Sequence, residues 1–238
     1  MDNKWTIIYH TADSNICPHI HKSFYEQSNP SANILYADGQ DYYLPKPYSD
    51  HKVKDVNHGK KNNPDQWALK TVAGDKLRVK LLRNHDKFLR DWLKDNFDKI
   101  TTNNIAFFEW DVLLNKELPS INVKGFMVKR IANTDRYWPW IEDVKKFDEK
   151  INTGIAPFGA FYTNKDFVKQ MIDSKYDYLY NQDVFCEARL TIMANFLNQN
   201  IVEYGKIFTG GSRNAQSETG ANEGCFHPVK KEIKQVQS

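Results

Sequence analysis

Short apolar runs alternate with polar, turn-forming segments over the first forty residues. The run at residues 5–9, Trp-Thr-Ile-Ile-Tyr, is β-rich and predicts a buried strand. A helix-like stretch follows over 17–27 and is stopped by Asn29-Pro30. A second β-rich run covers 32–37 and ends at Asp38-Gly39. Strand, helix and strand in this order predict a βαβ unit with parallel strands and a right-handed crossover.

Further segments of helical and strand-like pattern follow. Apolar positions recur at helical spacing over 74–97, opposite a face rich in Lys and Arg. Residues 105–108 predict a third buried strand, 167–172 and 183–197 predict two helices, and 201–204 predict a late strand. We find no internal repeat and no linker that splits the chain. The pattern therefore predicts one α/β domain, with a mostly parallel central sheet flanked by helices.

Composition and charge narrow the function classes. The 238 residues are 40% apolar and 26% charged, with 13% aromatic residues, which is typical of a globular domain. A net charge of +3 is too small to indicate nucleic acid as a partner. The segment 229–238 carries three lysines and little apolar content, and we expect a frayed basic tail there.

Cysteine usage and hydropathy indicate the compartment. The three cysteines lack Cys-x-x-Cys spacing, which argues against a disulfide framework and against a cysteine-based zinc site. No signal peptide is visible, and no segment reaches the roughly 18 apolar residues needed to span a bilayer. We therefore expect a cytoplasmic protein without a transmembrane segment.

Two acidic residues stand where the third predicted strand ends. Glu109 and Asp111 follow Phe107-Phe108, and ligands of open α/β sheets bind outside the carboxyl ends of the strands. Strand alternation puts positions two apart on the same side. Carboxylate oxygens there suit Mg²⁺ or Mn²⁺, which a diphosphate can share. The alternative is an ordinary strand-to-loop exit.

A single histidine near the end of the chain adds to the acidic pair. His227 follows the stretch 209–224, which is rich in Gly, Ser and Asn. We expect this stretch to be a mobile lid. Imidazole suits manganese, although a histidine in this position is more typical of a surface or packing residue. His227 supports a metal site only in combination with Glu109 and Asp111.

These features together resemble the GT-A glycosyltransferases. An N-terminal βαβ unit, an acidic-x-acidic motif at a strand end and a C-terminal His after a flexible loop span about Trp5 to His227. The resemblance implies a domain over 1–228, with a nucleotide-binding half over about 1–114 and an acceptor half over 115–228. It implies Mn²⁺ or Mg²⁺ on the donor diphosphate, held by Asp111 and His227. Glu109 replaces the first Asp of the family motif and would contact ribose or a metal-bound water.

The resemblance also assigns the donor pocket. Thr11, Ala12 and Asp13 would line the nucleobase, and Asp38 would meet the base or ribose. Asp13 and Asp38 are equally typical of turn residues that terminate strands. Arg83, on the Lys- and Arg-rich helix face, is a candidate for the donor phosphates.

The acceptor half has its own candidates. The segment 154–162 resembles the glycine-containing segment that borders the donor sugar in this superfamily. Asp183 and Glu187 lie four apart and so on one helix face. An inverting transferase needs one carboxylate to deprotonate the acceptor hydroxyl, and Asp183 is the first candidate and Glu187 the second. Either residue, taken alone, is also typical of the start of a helix, where an acidic side chain caps the helix and favours its dipole. Trp138 and Trp140 would stack on an acceptor sugar or pack in the core.

The predicted function is therefore a hexosyltransferase-like glycosyltransferase, which moves a sugar from a nucleotide-sugar donor to a carbohydrate or other hydroxyl acceptor. One alternative is a sugar-phosphate nucleotidyltransferase. Those enzymes have a Gly-rich loop after the first strand, whereas residues 11–15 contain no glycine. The other alternative is a non-catalytic nucleotide- or carbohydrate-binding protein, which has no need of Glu109, Asp111 and His227 around a metal.

Overall fold

A computed structural model describes most of the predicted elements. The described residues are 4–11, 19, 21–39, 85–128, 130–131, 154–155, 160–181, 184, 186–203 and 225–226. The strands are β1 (Trp5–Thr11), β2 (Asn33–Asp38), β3 (Asn104–Glu109), β4 (Leu113–Leu114), β5 (Phe126–Val128), β6 (Arg130–Ile131), β7 (Gly154–Ile155), β8 (Ala160–Asn164), β9 (Ile201–Glu203) and β10 (Cys225–Phe226). The helices are α1 (Lys22–Ser28), α2 (His85–Asn96), α3 (Lys165–Met171), α4 (Asp177–Tyr180) and α5 (Cys186–Phe196), with short 3₁₀ turns at Phe97–Lys99 and Ser174–Tyr176.

A six-stranded sheet in the order β2-β1-β3-β8-β5-β9 forms the centre of the fold. β1 pairs in parallel with β2 and β3, and β5 pairs in parallel with β9. β8 runs antiparallel to both of its neighbours, β3 and β5. Two small antiparallel pairs, β4–β10 and β6–β7, lie beside the main sheet. The predicted α/β class with a mostly parallel, helix-flanked sheet is confirmed.

The predicted elements agree with the structure at their centres and differ at their ends. The βαβ unit is present as β1, α1 and β2. β1 continues two residues beyond the predicted end and carries polar side chains at His10 and Thr11. α1 begins only at Lys22, whereas the pattern predicted a start at residue 17. β5 was not predicted, because three residues are too few to show a period.

Strand alternation separates two apolar layers. Ile8, Ile105 and Phe107 lie on the sheet face covered by α2, α3 and α5. Tyr9 and Phe108 lie on the other face. By the same alternation, His10 and Glu109 belong to the face covered by α2 and α5. The core therefore continues directly into polar side chains at the carboxyl ends of β1 and β3.

One glycine is required where β5 meets β9. Gly125 has φ +84°, which is the left-handed region, and a Cβ on it would lie 2.3 Å from the carbonyl oxygen of Asn200. The next amide, of Phe126, donates to that same oxygen at 2.9 Å. Only glycine combines this backbone angle with so close an approach.

Among the helices that the structure describes, none has both the length and the apolar content required to cross a lipid bilayer.

Candidate functional site

Three parallel strands end at one edge of the sheet, and their last residues form the candidate site. Thr11 is the register partner of Asp38, and His10 is the register partner of Glu109. The amide of Gly39 donates to the carbonyl of Thr11 at 2.9 Å and ties the ends of β1 and β2 together. Thr11, Asp38 and Glu109 therefore lie at one edge of the sheet, with Thr11 and Asp38 on one face and Glu109, beside His10, on the other. Thr11 is buried, and the other two are partly exposed.

The chain turns immediately after Glu109. β3 ends at that residue, and the amide of Val112 donates to the carbonyl of Glu109 at 3.0 Å. The strand alternation invoked to place Asp111 beside Glu109 therefore ends before Asp111, which lies in the turn. Asp111 is only 4% exposed, an unusual degree of burial for a carboxylate. We name residues 109–112 the acidic turn.

Helix α1 holds the chain that leaves the acidic turn. The Tyr25 hydroxyl donates to the carbonyl of Val112, and its ring stacks on Tyr9 with centroids 3.4 Å apart. Asn29 donates to the carbonyl of Lys116 at 3.2 Å and accepts from the amide of Leu118 at 2.8 Å. Buried hydrogen bonds of this kind fix the backbone. The path of the acidic turn therefore depends on the N-terminal βαβ unit.

A buried histidine pair joins β1 to α2. Nδ1 of His10 lies 2.9 Å from Nε2 of His85, so one ring donates a hydrogen bond and the other accepts it. Burial lowers the pKa of His85, and the negative charge of Glu109 opposes that shift. A hydrogen bond between two imidazoles requires that at least one of the rings is neutral and accepts. Sequence reasoning missed the pair, because 75 residues separate its members.

The charge of Glu109 acts on the first residues of two helices. Burial raises the pKa of the Cys186 thiol, the first residue of α5, and the negative charges of Asp86, Glu187 and Glu109 raise it further. Glu109 thus acts on Cys186, the first residue of α5, and on His85, the first residue of α2. The N-terminal ends of helices favour anions. Glu187, the second candidate base, lies in the first turn of α5 and is partly buried.

His19 is another residue that sequence reasoning missed. Its ring lies edge-on to Tyr36, with centroids 5.0 Å apart, and near Tyr9 at 6.5 Å. Burial lowers the pKa of His19 to about 4, and the charge of Asp38 opposes the shift. Within the described part of the chain, neither ring nitrogen makes a hydrogen bond. His19 therefore belongs to the same strand edge as Asp38.

Several predicted site residues lie outside the described residues, and the predictions on them remain predictions. They are Ala12, Asp13, Arg83, Trp138, Trp140, Asp183 and His227. The same is true of the predicted lid over 209–224 and of the basic tail.

The described residues can be tested for their fit to a divalent cation. Glu109 and Asp111 supply the carboxylate oxygens that Mg²⁺ and Mn²⁺ prefer. No cluster of three or more His, Cys, Asp or Glu side chains arranged for a metal occurs within the described ranges. The second predicted ligand, His227, lies beyond those ranges. Carboxylate oxygens of this kind fit a divalent cation, and Asp111 is the predicted ligand that lies within the described residues.

Among known proteins, the chain shows similarity to solved structures only. No protein-family model matches the chain, and no curated protein matches its sequence. The chain is similar to a glycosyltransferase involved in the glycosylation of the major capsid of PBCV-1, with 12% identity and a TM-score of 0.48 over 94% of this chain and 91% of that one.

Two structures of LgtC are similar as well. One is an active-site mutant, with 11% identity, and the other is a galactosyltransferase complex with donor and acceptor sugar analogs, with 10% identity. Each has a TM-score of 0.45 and covers 91% of this chain and 78% of the other. These similar solved structures are all glycosyltransferases.

Proposed function

We propose that the protein is a metal-dependent glycosyltransferase that moves a sugar from a nucleoside-diphosphate sugar onto a hydroxyl acceptor. One observation carries the proposal: the parallel strands β1, β2 and β3 end at a common edge, which carries Thr11 and Asp38 on one face, Glu109 on the other and Asp111 in the next turn. Nucleotides bind at this edge in open α/β sheets.

Each of these residues has a proposed role toward the donor. Thr11 and Asp38 contact the base or ribose, together with Ala12 and Asp13. Asp111 and His227 hold the cation, and Glu109 contacts ribose or a metal-bound water. A bound Mn²⁺ or Mg²⁺ would neutralise charge on the leaving diphosphate. The N-terminal ends of α2 and α5, on whose first residues the charge of Glu109 acts, add a favourable field for the phosphates, and Arg83 is the proposed basic contact.

The acceptor side requires a base if the reaction inverts. Asp183 is the first choice and Glu187 the second, and a positioned carboxylate takes the proton of the acceptor hydroxyl as the new bond forms. The position of Glu187 in the first turn of α5, where its charge and that of Glu109 both act on Cys186, supports a carboxylate from this segment. Trp138 and Trp140 are proposed to stack on the acceptor. A cytoplasmic location and hexose specificity belong to the same proposal.

Calorimetric titration of UDP and GDP, with and without manganese chloride, tests this proposal. We expect one nucleotide to bind the wild type at least tenfold more tightly with manganese. Asp111→Asn should lose that gain, whereas Asp98→Asn, an exposed acid in the 3₁₀ turn that follows α2, should keep it. Binding that is indifferent to manganese would exclude the metal role. Manganese-dependent binding without release of nucleoside diphosphate from any nucleotide sugar would indicate a binding protein.

A further inference from the structure

A buried ion pair links the beginnings of α2 and α5. Arg189 donates from Nη1 to the Oδ1 atom of Asp86 at 2.6 Å and from Nη2 to the carbonyl of Val184 at 2.6 Å. The side chains are 2% and 0% exposed, respectively. The guanidinium therefore joins the first turn of α2 to the segment that leads into α5.

Stability alone is a poor explanation for this pair. Desolvation of two buried charges offsets most of their attraction, and well-packed apolar residues stabilise such positions as well or better. The neighbours of the pair on α5 are apolar, including Leu190, Ile192 and Met193. An apolar pair would therefore be compatible with the surroundings, and the charges call for another explanation.

The pair is linked to the acidic end of β3 through His85 and His10. Asp86 directly follows His85, whose ring bonds to His10, and His10 is the register partner of Glu109. On the other side, Arg189 lies two residues after Glu187 on α5. Arg189, Asp86, His85 and His10 thus connect α5 to the strand edge through side chains that are all buried.

We propose that Asp86 and Arg189 are positioning residues that hold the first turn of α5, and the carboxylate it presents, at a fixed place relative to Glu109. The inference rests on the proposed glycosyltransferase function and extends it, because it names residues that set the acceptor side against the donor side without touching either substrate. A guanidinium suits this task because its fork holds two acceptors in a fixed geometry.

Replacement of the whole pair separates positioning from folding. In Asp86→Leu/Arg189→Met no charge is left buried alone, so the unfolding midpoint should stay within a few degrees of wild type. The rate of nucleoside diphosphate release from nucleotide sugars with manganese should fall at least tenfold in kcat, with less than a threefold change in KM for the donor. Asp177→Asn is the matched control, because it removes the partner of Arg90 one turn further along α2 and should leave kcat unchanged.

Hydrogen exchange supplies a readout that does not depend on activity. Peptides that cover 186–196 should exchange faster in the double variant than in wild type, as expected when the start of α5 is less tightly fixed. Wild-type kcat together with wild-type exchange in a folded double variant would overturn the inference. If the double variant does not fold, Asp86→Asn replaces it, and full kcat in that variant would overturn the inference equally. A wild type without any donor turnover would instead refute the proposed function, and the exchange data would then still test the positioning.

Discussion

Asp38 counteracts the effect of burial on His19. Burial lowers the pKa of the imidazole to about 4, from an ordinary 6.5, and the negative charge of Asp38 holds it from falling further. The ring is therefore neutral at pH 7, beside Tyr36 at the edge where β1 and β2 end. A neutral histidine and a carboxylate thus stand together at the proposed nucleotide pocket.

This relationship predicts how stability depends on pH. The folded-state pKa of His19 lies below the unfolded value, so the unfolded chain takes up the proton first. The contribution of His19 is complete above pH 6.5 and is lost as the pH falls toward 4. We expect the unfolding midpoint of His19→Gln to decrease less than that of wild type between pH 7 and pH 4. Parallel curves for the two proteins would contradict a buried, neutral His19.

Asp38 should contribute to donor affinity rather than to folding. It is partly exposed at the end of β2, and loss of a hydrogen bond from a charged group costs about 1.5–3 kcal/mol. Asp38→Ala should therefore weaken nucleoside diphosphate binding in manganese about tenfold or more, as measured by calorimetry. Asp98→Ala, an exposed acid in the 3₁₀ turn after α2, is the control. Equal affinities in the two variants would remove Asp38 from the pocket.

The two candidate bases can be separated by amide substitutions. Asp183→Asn should keep donor binding and lower turnover about a hundredfold or more, the usual scale for the loss of a general base. Glu187→Gln should then retain most of the turnover. The reverse result would assign the base to Glu187. Full turnover in both variants, measured with an acceptor present, would mean that neither residue is the base and would favour a retaining reaction.

Gly125 offers a test of the fold away from the site. Alanine there must adopt φ +84° and place its Cβ against the carbonyl oxygen of Asn200. Strain of this kind costs about 1–3 kcal/mol, which corresponds to roughly 2–12 °C in the unfolding midpoint of a chain of this size. Lys124→Ala changes the exposed neighbouring residue and should leave the midpoint within about a degree. A Gly125→Ala midpoint equal to that of the control would contradict the described contact between β5 and β9.

The local hydrophobic pattern was sufficient to predict the strands that form the site. β1, β2 and β3 are apolar runs bounded by polar residues, and parallel strands place their carboxyl ends together. The common edge at which β1, β2 and β3 end therefore follows from the sequence pattern, whereas the register decides that Thr11 and Asp38 lie on one face and Glu109 on the other. The place of Asp111 does not follow from the pattern, because a turn rather than strand alternation sets it.

Pairings between distant residues could not be predicted. Asp86 and Arg189 are 103 residues apart, and each occupies a charged position in a helical pattern where solvent exposure is the usual outcome. The insertion of β8 between β3 and β5, antiparallel to both, likewise depends on tertiary packing. Hydropathy indicates which faces of a helix or strand are apolar, but it does not indicate which buried polar groups pair with each other.

The bonds from α1 to the acidic turn also bear on biosynthesis. Tyr25 and Asn29 bind chain that the ribosome adds 87 to 89 residues later, which takes on the order of 5–20 s at typical rates of synthesis. A seven-residue helix is too short to persist alone in water. The N-terminal segment therefore leaves the ribosome without its final partners. A nascent chain that ends before Leu118 lacks the bonds from Asn29 that fix the chain after the acidic turn, so the proposed nucleotide site is complete only after residues up to Leu118 have been made.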